Sequence, residues 1–328
     1  MKHLWKKWSV VAILGVALTA CGTSNTGGGD GGETYSVGAT QIVEHPSLDA
    51  AYEGFKQALE DAGLQVVYDF NSAQNDQSNN ATIASNLVSK DVDLIFANST
   101  PSAQSALQAT KDIPIVFTSV TDPVAGELVT SMDEPGDNIT GVVDLHPDSI
   151  KFTVDFMEQY FPNSTVGLVY NAGEANSVAQ IELVEQAMEG TSLTMVTRSV
   201  ATSAEVQQAT ASLVGEVDAF YIVTDNTAVS ALEAIVQIAN NEQIPLFVGE
   251  PDSLAKGGFA TFGIDYFSIG YRSGEMAVEV LQGEKTTADI PVEYPQDMQL
   301  IINKDAAEAQ GVEWNDAWDD EAELLETE

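Results

Sequence analysis

The feature that most limits what this chain can fold into is an internal repeat. The segment VDLIFANSTPSAQSAL (92–107) aligns with VDAFYIVTDNTAVSAL (217–232), a shift of 217 − 92 = 125, and each copy runs on to an Ile-Pro pair, Ile113-Pro114 and Ile244-Pro245. Upstream, VGATQIVEHPS (37–47) faces VGLVYNAGEANS (166–177), shifted by 129 at the strand and by 130 at Glu44 with Glu174 and Ser47 with Ser177. Two matches in the same order, loops included, mean two copies of one supersecondary design.

Each copy alternates apolar runs of strand length with amphipathic segments of helix length. In the first, strands are expected at 36–43, 64–70, 93–97 and 114–119, and helices at 48–62, 77–88 and 102–110. Repeated βα order implies a parallel sheet with helices on both faces. The expected fold class is therefore α/β, with two Rossmann-like lobes built on parallel sheets.

The first residues stand apart from this pattern. Lys2, Lys6 and Lys7 form a basic start, residues 10–18 are apolar but too short to span a bilayer, and Leu18-Thr19-Ala20-Cys21 follows at once. That order predicts a lipoprotein signal over 1–20, with lipid carried on Cys21, the chain's single cysteine. Residues 22–33 are Gly, Ser, Thr, Asn and Asp without a large apolar side chain, a flexible tether. The remaining chain, roughly 280 residues, suits two lobes better than one core. The expected division is 35–143 plus 265–292 for lobe 1, 144–264 plus 293–312 for lobe 2, and an acidic tail over 313–328. Trp314 and Trp318 fit a short helix on the second lobe, and the chain is expected to fray beyond Asp319.

Charge excludes some partners. Lys and Arg number 12 against 50 Asp and Glu, a net charge of −38, which becomes −41 once the three signal lysines are removed. Nucleic acid and anionic lipid are not partners for such a surface. An acidic surface of this kind fits salty or alkaline surroundings.

In open parallel sheets, ligands sit beyond the carboxyl ends of the strands. Two such lobes facing each other make a cleft lined by loops 41–47, 71–76, 98–101 and 118–123 from the first and 171–177, 224–226 and 249–252 from the second. Ser47, Thr100, Asn176 or Ser177, and Asp225 or Asn226 are good helix-capping types, so the cleft is ringed by helix starts whose free N–H groups can take a carboxylate. No Lys or Arg falls in these loops, whereas Glu44, Asp122, Glu174, Asp225, Glu250 and Asp265 lie in or beside them. Carboxylates and N–H-rich turns without a fixed cation suit a zwitterion, an amino acid. Its ammonium is expected on Asp225 or Asp122, and its carboxylate near Ser177 or Thr100. Among nearby aromatics (Phe70, Phe117, Tyr170, Phe262, Tyr266), Tyr170 and Tyr266 are favoured to stack on a ring. Beyond the signal only His45 and His146 remain, and no nucleophile motif occurs, so neither an enzyme, a cofactor nor a metal set is expected.

The segments QIVEHPSLDAAYEGF (41–55), FNSAQNDQSN (70–79), STPSAQSAL (99–107), TSVTDPVAGELV (118–129), YNAGEANS (170–177), TDNTAVSAL (224–232) and IDYFSIGYRSGEMAVEVLQGE (264–284) resemble the ABC-transporter substrate-binding family that includes tryptophan-binding lipoproteins. The likeness runs from about 37 to 312. It implies a type I periplasmic-binding-protein fold with hinge crossovers near 141–146, 263–266 and 291–296. It also implies import of an aromatic amino acid by an extracytoplasmic, lipid-anchored monomer, with permease and ATPase partners. Carried over by motif, the cleft would use Gln74, Asn75, Thr100, Thr121 and Asp122, then Asn171, Glu174, Asn176, Ser177, Asp225 and Asn226. Gln41, Ser47, Tyr170 and Asp265 complete the candidate set from the loops themselves. Val124-Ala125-Gly126-Glu127 departs from the Ala-Ala-Gly order of the family at that loop. A sugar or nucleoside receptor, or a ligand-sensing lipoprotein beside a membrane kinase, are the alternative readings of the same cleft.

Overall fold

The computed structural model describes residues 33–325. The signal segment, Cys21 and the tether to residue 32 lie outside the described residues, as do 326–328.

The first half runs β1 (Thr34–Gln41), α1 (Pro46–Asp61), β2 (Gln65–Ser72), α2 (Gln77–Ser89), β3 (Leu94–Asn98), α3 (Thr100–Ala109), β4 (Ile115–Val120) and β5 (Ile139–Val143). After α4 (Ser149–Tyr160) the pattern returns as β6 (Thr165–Tyr170), α5 (Ala175–Met188), β7 (Thr194–Ser199), α6 (Ser203–Ala211), β8 (Ala219–Ile222), α7 (Asn226–Val229), α8 (Leu232–Glu242), β9 (Leu246–Val248), α9 (Pro251–Ala255) and β10 (Ala260–Gly263). The chain then continues through α10 (Tyr266–Leu281), β11 (Gln299–Asn303), α11 (Lys304–Ala309), α12 (Trp318–Glu321) and β12 (Glu323–Leu325).

The repeat becomes topology. One sheet has the order β2-β1-β3-β4-β5, and the other contains β7-β6-β8-β9-β10 in the corresponding sequence, extended by β11 and β12. All pairings are parallel except that of β10 with β11. The central strands β3, β4 and β8 are buried throughout, as expected where helices cover both faces, and so is β5 at the edge of the first sheet.

Although α10 follows a strand of the second sheet, it packs on α1 of the first lobe, in direct backbone contact. A Cβ on Gly270 would lie 1.9 Å from the Ala51 carbonyl oxygen, and one on Gly54 2.1 Å from that of Phe267. Three stretches of chain thus pass between the halves: after β5, between β10 and α10, and on the way into β11. Two of them are tied together by a Val142–Glu293 bridge.

The tail departs from expectation. Instead of fraying beyond Asp319, it forms α12 and then β12, which adds in parallel to β11. Trp318 is 1% exposed and packs on Phe156, Tyr160 and Phe259 at centroid distances of 5.7, 5.3 and 5.5 Å. One large aromatic inserted in a core outweighs the repulsion of the acidic residues around it, and the strand it anchors gains a partner edge. Trp318→Ala should cost about 3 to 5 kcal/mol of stability, read as a lower urea midpoint. An unchanged midpoint would mean the tail is only laid on the surface.

Candidate functional site

The strand ends of the two sheets converge on one cavity. Of the sequence candidates, Ser47, Thr100, Thr121, Asn176, Asp225 and Asn226 line it. Ser47 and Thr100 are free to do so because the caps sit earlier than expected. His45 caps α1, accepting the Ser47 N–H on Nδ1 at 3.3 Å, and Ser99 caps α3 through its hydroxyl. At the start of α5 the first-turn position falls after Glu174, so neither Asn176 nor Ser177 is the cap, while Asp225 does cap α7.

The other candidates do not line the cavity, and each has a visible occupation. Gln41 is buried behind it, donating to the Val43 carbonyl and Asp49 and accepting from Asn98. Gln74 and Asn75 form a left-handed turn at φ 55° and 59°, from which Asn75 donates to Thr227 of the other lobe at 3.3 Å. Asp122 accepts the N–H groups of Val124 and Ala125 on Oδ1, shaping the loop that departs from the family order. Tyr170 packs into the second lobe's core because both faces of β6 are covered. Asp265 caps α10 on the outside, accepting the Phe267 N–H at 3.0 Å.

Asn171, Glu174 and Ser177 build the turn over 225–228. Glu174 accepts the N–H groups of Asn226 and Thr227, the Asn226 amide and the Thr227 hydroxyl. Asp225 accepts the Asn171 and Ala228 N–H groups, each at 2.6 Å, and the Ser177 hydroxyl. Burial, reinforced by Glu174, pushes Asp225 up to about 6. Both of its carboxylate oxygens already carry hydrogen bonds, so its role is to hold the turn.

The cavity wall also contains His45, Ser119, Asp144, Thr224, Glu250 and Tyr266, with Val43, Leu48 and Val229 as its aliphatic patches. His45, Glu250 and Tyr266 carried loop or aromatic signals in the sequence. Asp144 carried none, because it lies on the crossover after β5 and not on a strand-to-helix loop. Its Oδ2 accepts the Tyr266 hydroxyl at 3.0 Å, and the Thr121 hydroxyl also donates to its carboxylate. Its Oδ1 is closed off from solvent and has no protein partner. Burial pushes this carboxyl up to about 6, against the lowering by those two hydroxyls. Tyr266 is raised well above its ordinary value by burial and then by Asp144, so it stays a donor.

Unpartnered buried atoms cluster here. Besides Asp144 Oδ1, they include Thr100 Oγ1, Ser119 Oγ, Asn176 Oδ1, Thr224 Oγ1 and His45 Nε2. Buried polar atoms are nearly always paired within a fold, so a wall of unpaired ones is built to face something polar. No Lys or Arg lines the cavity.

The chain from 36 to 324 matches the model of the ABC transporter substrate-binding protein family. The chain belongs to that family. Its proteins bind substrates and are not enzymes, and the two-lobed α/β arrangement is the type I periplasmic-binding fold. A tyrosine-binding protein of Clostridioides difficile (strain R20291) is 41% identical over 92% of this chain and 90% of its own length. The structure of an ABC domain in complex with L-Trp from Streptococcus pneumonia superposes with a TM-score of 0.85 at 32% identity, covering 89% of this chain and all of that one. The ligand-free, open structure of a substrate-binding protein with adhesive properties from Clostridium difficile is 38% identical over 90% of this chain and all of its own, yet superposes at only 0.67. A lower score at higher identity and equal coverage places this family member's lobes nearer the arrangement of the Trp complex than the open one. Contacts across the cleft agree: the Ser47 hydroxyl meets the carboxylates of Glu250 and Asp252, and Asn75 meets Thr227.

Proposed function

We propose that this protein captures an aromatic amino acid, tyrosine or tryptophan, as a zwitterion between its lobes and delivers it to an ABC permease and ATPase. It works outside the cytoplasm as a monomer tethered through lipid on Cys21. The observation that carries the choice of ligand is Asp144 Oδ1, the cavity carboxylate oxygen with no partner. A buried carboxylate in a wall without Lys or Arg is compensated by an incoming ammonium. The hydroxyls of Thr100 and Ser119 are placed to donate to the ligand's carboxylate. Val43, Leu48, Val229 and the Tyr266 ring receive its apolar body. The ammonium is thus assigned to Asp144 in place of Asp225 and Asp122.

Calorimetry tests this directly. Tyrosine, tryptophan and phenylalanine should bind near neutral pH and galactose should not; saturable galactose binding without amino-acid binding would overturn the reading. Affinity should weaken as pH falls through about 6, where Asp144 takes up its proton and loses its charge. In the ligand-free protein the sign is opposite. The raised pKa makes its contribution to stability complete below 3.8 and lost as pH rises through about 6.

A further inference from the structure

A second group of side chains lies at the rim of the cavity, where the lobes touch. His45 and Ser47 come from the start of α1, Glu250 and Asp252 from the start of α9. Donor atoms of the histidine and the two acids lie within 4.8 Å of one another. The Ser47 hydroxyl has one proton, yet it sits 2.5 Å from an oxygen of each carboxylate. One of those contacts therefore sets two oxygens against each other. Among the described residues no lysine or arginine pairs with either acid. A separate observation concerns His45, which is 7% exposed and whose Nε2 has no hydrogen-bond partner while pointing at Glu250 Oε1 from 3.8 Å.

We propose that His45, Glu250 and Asp252, with the Ser47 hydroxyl beside them, form a site for one divalent first-row transition ion that clasps the two lobes together. One imidazole and two carboxylates are a borderline nitrogen-and-oxygen set of the kind zinc and manganese take. A charge of 2+ matches the two acids. Ligation by Nε2 moves the ring proton to Nδ1 and releases the Ser47 N–H, whose 3.3 Å contact is a weak one. Donor atoms about 2.0 to 2.2 Å from a tetrahedral ion lie about 3.4 Å from one another, so ligation draws the present spread of up to 4.8 Å together by somewhat over an ångström. His45, Ser47 and Glu250 also line the cavity, so the ion is tested with the cavity empty of amino acid. The expectation that metal was absent weighed the histidines alone, whereas folding brings two acids from 203 and 205 positions away to Ser47, beside His45.

The test is a titration of the full-length protein with Zn2+ in the absence of any amino acid, followed by small-angle scattering. One ion should bind with micromolar or tighter affinity, and the radius of gyration should contract on zinc alone. His45→Gln and, as a second variant with a half-buried side chain, Asp252→Asn should each weaken zinc binding at least tenfold while remaining folded without metal, with the loss of the α1 cap lowering the melting temperature of His45→Gln only. Only weak, multiple-site zinc uptake that His45→Gln and Asp252→Asn leave unchanged would overturn the site. Tight binding without contraction would overturn the clasp. Neither result bears on amino-acid binding, which the calorimetric panel decides on metal-free protein.

Discussion

Asp144→Asn should weaken tyrosine binding on the order of 100-fold while leaving the protein folded. The figure follows from removing one partner of a buried, hydrogen-bonded charge pair, which costs about 2 to 5 kcal/mol. Asparagine has nearly the same shape and can still accept the Tyr266 hydroxyl that now meets Oδ2 at 3.0 Å. What it lacks is the charge that compensates an ammonium. A desolvated carboxylate without a cation also burdens the empty protein, so the variant's melting temperature without ligand should match or exceed that of the wild type. Calorimetry and thermal melting on the same sample separate the two effects. Affinity within threefold of wild type would remove Asp144 from the ammonium site and return the question to Glu250. The share of the pH dependence that Asp144 contributes should vanish with the substitution, leaving only what Asp225, also pushed up to about 6 in the same wall, adds.

Gly270→Ala should be the most damaging small substitution in the first lobe, lowering stability by about 3 kcal/mol or more. The added methyl would meet the Ala51 carbonyl oxygen at 1.9 Å and its carbon at 2.5 Å, and neither is a flexible chain end. Relief requires α1 and α10 to part along their length, and Gly54 and Gly274 hold the same close approach on either side. Because α1 begins at Pro46 and α10 at Tyr266, the shift would reach both Ser47 and Tyr266 on the cavity wall. Urea unfolding measures the loss, and a melting temperature within about 2 °C of wild type would show that the helices separate freely. Affinity of the surviving folded fraction should also fall, since the wall is displaced.

Much of the architecture could be read from residues alone, because a repeat with matching loops constrains strand order as well as element type. The aligned starts at 92 and 217 become β3 and β8, each beside the first strand of its own copy. The cleft was legible for a related reason: helix starts gather at one end of a parallel sheet. What could not be read was the direction in which each polar side chain spends its hydrogen bonds. Glu174 and Asp225 stand where a ligand acid was expected, yet turn backbone occupies them. Tyr170 was favoured as a stacking ring, but alternation carries no signal in a strand covered on both faces. Asp144 escaped notice because a crossover has no periodicity, and its environment is created by Thr121 and Tyr266, which are 23 and 122 positions away, the latter through its hydroxyl on Asp144 Oδ2. Tail residues beyond Asp319 were expected to fray because composition describes solvent preference and not the hole that Trp318 fills.

The interleaving of the chain between its halves has a consequence for biogenesis. As the polypeptide is made from its amino end, α1 emerges more than 200 positions before the helix that covers it. The second sheet likewise waits for β11 and β12 at the far end. Neither half can reach its final packing until nearly the whole chain is available, so folding of the two lobes completes together and late.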